Sequence, residues 1–282
     1  MSQQQQYYSL RNGLNPLANG IPLDSLLMLF GRLYKGFRVK GYFDEVFGFY
    51  CVDAGDVAGT LEDPDLDIFL ALRKEHLFPI ETYYSQYSED DLLDIIEYLY
   101  QKISKPVDGF MHTHNECGMH WETFNKKEGQ DFFVVEINKL LSHYEIKFEL
   151  SKEGLILSKV DEGFQNLFTA DIPTSDEENI KSRVDKAIKN YRRHGSSVDD
   201  RKQAVRDLAD VLEYLKPAIK NSLNRKDESF LFELINNYGI RHHSKSQKTD
   251  YDANIWLSWM FYYFLATIQA IVRFDNKINK QK

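Results

Sequence analysis

Apolar residues along this chain recur mostly at three- and four-residue intervals, the spacing that lines one face of an α-helix. The clearest stretch starts at Ser88. Three acids follow it, Glu89, Asp90 and Asp91, and then Leu92, Leu93, Ile95, Ile96, Leu99 and Tyr100. A serine N-cap with acids in the first turn opens a helix there, and Pro106 closes the segment. Leu26 to Phe30 predicts a short helix, and Ile68 to Arg73 another that breaks before Pro79. Phe132, Val135, Ile137, Leu140 and Leu141 predict a helix over 131–143. Period-two alternation is rarer. Ile146 to Leu150 alternates, Glu153-Gly154 turns, and Leu155 to Leu157 returns, which predicts a small β-hairpin at 145–158. Tyr42 to Tyr50 is aromatic and fits helix or strand alike, Asp53 to Gly59 reads as a turn, and 106–129 reads as irregular.

Beyond Pro173 the pattern becomes wholly helical. Ser175-x-x-Glu178 has capping-box spacing, and Ile180, Val184, Ile188 and Tyr191 make one stripe that Gly195 ends. Ser197 caps the next helix, with Asp199 and Asp200 in its first turn and Val198, Val205, Leu208, Val211 or Leu212, Leu215 and Ile219 along its apolar face. Pro217 removes a hydrogen bond from that helix and kinks it. Two more helices follow, over about 227–238 and 252–275. Short loops between helices with one apolar face describe a bundle. The expected fold is therefore mainly α, with a mostly helical first domain (1–173) carrying the hairpin and a helical bundle over 174–282.

The last helix changes the picture in one respect. Ala253 to Val272 holds no charged residue, and twenty such positions could cross a bilayer. Asn254, Ser258, Thr267 and Gln269 interrupt it, so a helix buried all round, in the bundle or in a homodimer contact, is the expectation rather than a membrane span.

Charge separates the same two halves. The net charge is −8, but residues 1–173 hold fifteen Lys and Arg against twenty-eight Asp and Glu, and residues 174–282 hold twenty against fifteen. The second half is thus basic, as suits a polyanion such as RNA. Two cysteines, Cys51 and Cys117, build no disulfide framework, which fits a reducing cytoplasm. Met1 to Gln6 has no signal-peptide pattern.

Two constellations carry chemistry. His112-x-His114-x-x-Cys117-x-x-His120 places four zinc-type donors within nine residues. The spacing lacks the paired cysteines of a finger and the His-Glu-x-x-His of a metalloprotease, so a structural zinc is the candidate role. The second is Asn236-Asn237-Tyr238-Gly239-Ile240-Arg241-His242-His243, with Lys245 and Lys248 just beyond. Arg241 could stabilise charge on a phosphate, and His242 or His243 could move a proton near neutral pH. Asn236 and Asn237 could orient the substrate, with Lys245 and Lys248 binding RNA. These are the parts of metal-free RNA cleavage. A capped helix end explains the same residues by the helix dipole.

Residues 175–275 resemble a HEPN domain, the higher-eukaryote and prokaryote nucleotide-binding helical bundle, in the form found in bacterial abortive-infection proteins. The resemblance rests on Asp207 to Lys216, on Asn236 to His242 and on the final apolar helix. It implies a four- to five-helix bundle acting as a homodimeric, metal-independent endoribonuclease in antiviral defence, with no cofactor needed. It equally implies a non-catalytic RNA- or nucleotide-binding component working with a defence-system partner. The family signature is an Arg separated from the catalytic His by four to six residues. Here Arg241 instead stands directly before His242, and 235–238 are Ile, Asn, Asn and Tyr.

Overall fold

The computed structural model describes residues 7–160, 162–237 and 252–279. Contacts divide the chain into two compact units, Met1–Leu157 and Ser158–Lys282. The expected division at 173 followed the change in helical pattern and in charge at Pro173.

The first unit is built on long helices and three small hairpins. Helix α1 (Leu23–Val39) buries Leu26, Leu27, Phe30, Tyr34 and Phe37 on one face. It is more than three times the length expected from Leu26 to Phe30, because that stripe continues past Gly31 and Gly36 and outweighs their poor helix propensity. Strands β1 (Phe49–Cys51) and β2 (Gly55–Val57) pair antiparallel, so the segment read as a turn over Asp53 to Gly59 is in part a strand, and only 52–54 turn the chain. Helix α2 (Pro64–Leu72) is capped by Asp63, whose carboxylate accepts from the Leu66 N–H. Helix α3 (Glu89–Lys102) opens with a full capping box between Ser88 and Asp91. It buries the six apolar residues the sequence marked, and Tyr98 besides.

Residues 106–129 are not irregular. Strands β3 (Lys105–His112) and β4 (Gly118–Asn125) form an antiparallel hairpin, and helix α4 (Lys126–Leu141) follows at once, capped by Asn125. Pro106 lies inside β3 rather than ending the structure. The pattern hid the hairpin because the register shifts around Asp108 and because Val107, Phe110 and Met111 are exposed, so alternation never develops. Strands β5 (Phe148–Leu150) and β6 (Ile156–Ser158) form the hairpin expected at 145–158. The core of the unit gathers Phe30, Phe43, Ile68, Ile80, Ile95, Leu99, Phe133 and Ile137.

Glu97 ties β6 to α3: its Oε1 accepts the Ile156 N–H at 2.6 Å. Burial pushes this carboxyl above its ordinary 4.5. A carboxyl whose folded-state pKa is raised costs nothing below the ordinary value, and the cost sets in as pH rises through the window above it. Glu97→Gln keeps the acceptor and removes the charge. Its melting temperature is expected above the wild type at neutral pH, with the gap closing below pH 4.5, as thermal melts across that range measure.

The described residues of the second unit are mainly helical. Helix α5 (Gln165–Thr169) leads to a π-turn at Glu177–Lys181 and helix α6 (Ser182–Arg192). The cap here is Asp176, which accepts from the Asn179 N–H, and not the expected Ser175–Glu178 box. Helix α7 (Val198–Tyr214) begins with a capping box between Ser197 and Asp200. Pro217 does more than kink it: α7 stops and helix α8 (Lys216–Ser222) starts with the proline in its first turn, where no amide is required. Helices α9 (Arg225–Asn237) and α10 (Ala253–Asn279) complete the unit. Helix α7 packs against both α6 and α10. Ser197→Ala removes one half of the box and is expected to destabilise this unit by about 1 kcal/mol, measured by denaturant melts.

Helix α10 buries Leu257, Met260, Phe261, Phe264, Leu265, Ile268, Ile271 and Val272. Ile255, Trp256 and Trp259 are exposed on it, so it is not buried all round. By length and composition Ile255–Ile278 could cross a membrane, and half of its most apolar window is buried within the fold.

Candidate metal centre

Two hairpins bring one cluster together. In the first, β1 ends at Cys51 and the chain turns through Val52, Asp53 and Ala54 into β2. The backbone N–H groups of Ala54 and Asp53 donate to the Cys51 sulfur and hold its thiol below the ordinary range. In the second hairpin, His112 closes β3 opposite Gly118, and His120 on β4 stands opposite Phe110. Positions 110 and 112 share a face of β3 by the two-residue period of a strand, so both imidazoles lie on one side of the ribbon. Their rings meet edge-on, with centroids 5.0 Å apart. Phe49 and Phe110 pack on the His120 ring at 4.7 and 5.1 Å.

The turn between these strands places Cys117. Asn115 and Glu116 both adopt left-handed backbone, at φ 47° and 57°, and Gly118 follows at φ 104°. Such a conformation is uncommon outside glycine and costs energy at Glu116. It folds the chain back so that the Cys117 sulfur lies 3.2 Å from His120 Nε2. Gly109 allows the strands to close above the site: a β-carbon there would stand 2.1 Å from the His120 carbonyl oxygen.

One ligand atom each from Cys51, His112, Cys117 and His120 lies within 4.8 Å of all the others. The Cys51 sulfur is 3.7 Å from His112 Nδ1. A tetrahedral zinc with Zn–S of about 2.3 Å and Zn–N of about 2.0–2.1 Å has sulfur–nitrogen edges of about 3.5 Å. The two measured edges, 3.7 and 3.2 Å, bracket that value. The far nitrogen of His112, Nε2, is 3.0 Å from Asp53 Oδ2. Metal-bound imidazoles regularly donate their second N–H to a carboxylate, which fixes the ring and raises its basicity. Two thiolates and two imidazoles are a donor set suited to zinc, and four protein ligands leave no open position for a substrate.

Three of the four residues expected from the local spacing are in this group. His114 is not. It is mostly exposed, with its Nε2 3.6 Å from Asp53 Oδ1 and 3.1 Å from Asn115 Nδ2. Cys51 takes its place from 61 residues before His112. The signal that could have found it is slight: a cysteine followed directly by the Asp53 to Gly59 turn. Of the RNA-cleavage residues, Asn236 is exposed on the last turn of α9, which also contains Asn237. Arg241, His242, His243, Lys245 and Lys248 lie outside the described residues.

No protein-family model, curated protein or solved structure matches the chain.

Proposed function

We propose that the first unit is a zinc-binding module, with one Zn²⁺ held by Cys51, His112, Cys117 and His120 as a structural centre. The observation that carries this is the convergence of the four ligand atoms within 4.8 Å from two separate hairpins. The metal's role would be mechanical. Two-stranded hairpins are marginal alone, and the β1–β2 and β3–β4 ribbons expose Tyr50, Val52, Val107, Phe110 and Met111 rather than burying them. A shared metal replaces the core they lack. Cobalt substitution tests it: tetrahedral Co²⁺ with two thiolates gives intense visible absorption and sulfur-to-metal charge transfer. A weak octahedral spectrum would sink the assignment.

For the second unit we propose RNA as the substrate, cut without a metal, with Arg241 stabilising the transition state, His242 or His243 moving the proton, and Asn236 and Asn237 positioning. The observation that favours this is a hollow of about 830 Å³ lined by Lys216, Lys220 and Arg225, which reaches Asn236 at the end of α9. Glu228 and Glu233 also line it, so its positive balance is small. Dimerisation through this unit and a place in antiviral defence belong to the same proposal. Single-stranded RNA incubated with the protein in EDTA is expected to yield cyclic-phosphate ends, and His242→Ala to abolish them. Binding without cleavage, weakening steeply as salt rises, would make the unit an RNA-binding component instead.

A further inference from the structure

We infer that Cys51 and Cys117 are a peroxide-sensitive pair, and that their oxidation to a disulfide expels the metal from the first unit. The inference rests on the zinc reading above.

The geometry supplies both partners of such a reaction at one point. Cys51 ends β1 and Cys117 sits in the turn before β4 of a different hairpin, yet their sulfur atoms lie within the same 4.8 Å group. Their accessibility differs. Cys51 is 4% exposed, whereas Cys117 is only half-buried in the turn before β4. Asn115 and Glu116, beside Cys117, are exposed as well. A small oxidant therefore reaches Cys117 first, and Cys51 is the resolving thiol.

The chemistry balances with hydrogen peroxide as the oxidant. The Cys117 thiolate attacks one peroxide oxygen, the O–O bond breaks, and hydroxide leaves, giving a sulfenic acid. The Cys51 thiolate then attacks that sulfur, the S–O bond breaks, and a second hydroxide leaves. Two protons convert the hydroxides to water, so two thiolates and one peroxide give one disulfide and two waters. The metal keeps only His112 and His120 as ligands. Two neutral imidazoles without thiolates do not meet zinc's four-ligand requirement, so the ion leaves to solvent. The new covalent bond still joins the two hairpin turns that the metal had joined. The unit thus exchanges one cross-link for another, and the oxidant is read out as zinc release.

The experiment uses the full chain purified under reducing conditions, with zinc measured by elemental analysis before any treatment. Hydrogen peroxide is then added in the presence of a chromogenic zinc chelator, and the intact mass is recorded without reductant. The expected result is one zinc per chain at the start. Released zinc and the loss of two hydrogens should rise together, one metal per disulfide, and both should reverse with dithiothreitol and added zinc. In Cys51→Ser, a sulfenic-acid probe should label Cys117 in place of the disulfide. If zinc is present but stays bound, or leaves with the cysteines as sulfinic acids, this inference is overturned while the zinc reading stands. If the untreated protein holds no zinc and takes up none, the zinc reading itself falls, and this inference with it. The wild-type mass and zinc measurements decide between these outcomes even if Cys51→Ser does not fold.

Discussion

Wild-type protein should emerge from chelator-free gel filtration with one zinc per chain, and Cys51→Ala should emerge without it. Cys51 is the test because it is remote from the other three ligands in sequence and joined to them only in the fold. Removing it leaves one thiolate and two imidazoles, and the site opens to water. Asp53→Ala should act more mildly. It leaves all four ligands but deprives His112 Nε2 of the carboxylate 3.0 Å away, a loss typically of about 10–100-fold in metal affinity. His114→Ala should change nothing, since His114 lies outside the group. Competition with a fluorescent zinc chelator gives all three values. A weakened His114→Ala beside an unaffected Cys51→Ala would return the site to the contiguous spacing and overturn the assignment. Metal removal by chelator should also loosen the two hairpins, read by faster amide exchange in β1 to β4.

Phe261→Ala should nearly unfold the second unit. Phe261 is fully buried on α10. Its ring stacks on Tyr191 of α6 at 4.0 Å and on Phe168 of α5 at 5.7 Å. Truncation removes both stacks and opens a cavity between three helices. Phenylalanine-to-alanine changes in such cores cost about 3–5 kcal/mol, a large share of the roughly 5–15 kcal/mol that holds a domain folded. The first unit has its own core cluster, none of whose residues comes from α10. The variant should therefore lose helical signal and cooperativity while still binding one zinc. Circular dichroism melts and metal analysis on the same sample check this. A melt within a degree or two of wild type would show that α10 does not anchor the bundle as its burial implies.

What was legible in the sequence depended on how local the physics is. The caps at Ser88 and Ser197 use partners three residues away, so spacing alone revealed those helix starts. The stripe from Leu92 to Tyr100 and the apolar positions of α7 were equally clear, because burial against one core writes a helical period into the chain. The hairpin of β3 and β4 was not, since its strands are bulged and partly exposed and have no core to impose alternation. Three residues of the proposed metal site were visible because His112, Cys117 and His120 cluster around one turn. Cys51 was invisible because coordination needs only that atoms meet in space and leaves no period in sequence. His114 was chosen in its stead by proximity along the chain, whereas its ring lies outside the group, with Nε2 3.6 Å from Asp53 Oδ1.

The 61-residue separation of Cys51 from His112 has a consequence for how the chain reaches its fold. Joining two such distant points removes loop-closure entropy from the unfolded ensemble. Treated like any cross-link of that span, a zinc bound as proposed would be worth about 4 kcal/mol. The segment it encloses contains α2 and α3 and therefore much of the first unit's core. Zinc captured early would hold the ends of this segment together while the helices dock, so refolding with metal present should be faster as well as more complete. Metal supplied only after refolding has begun should rescue the final yield less well.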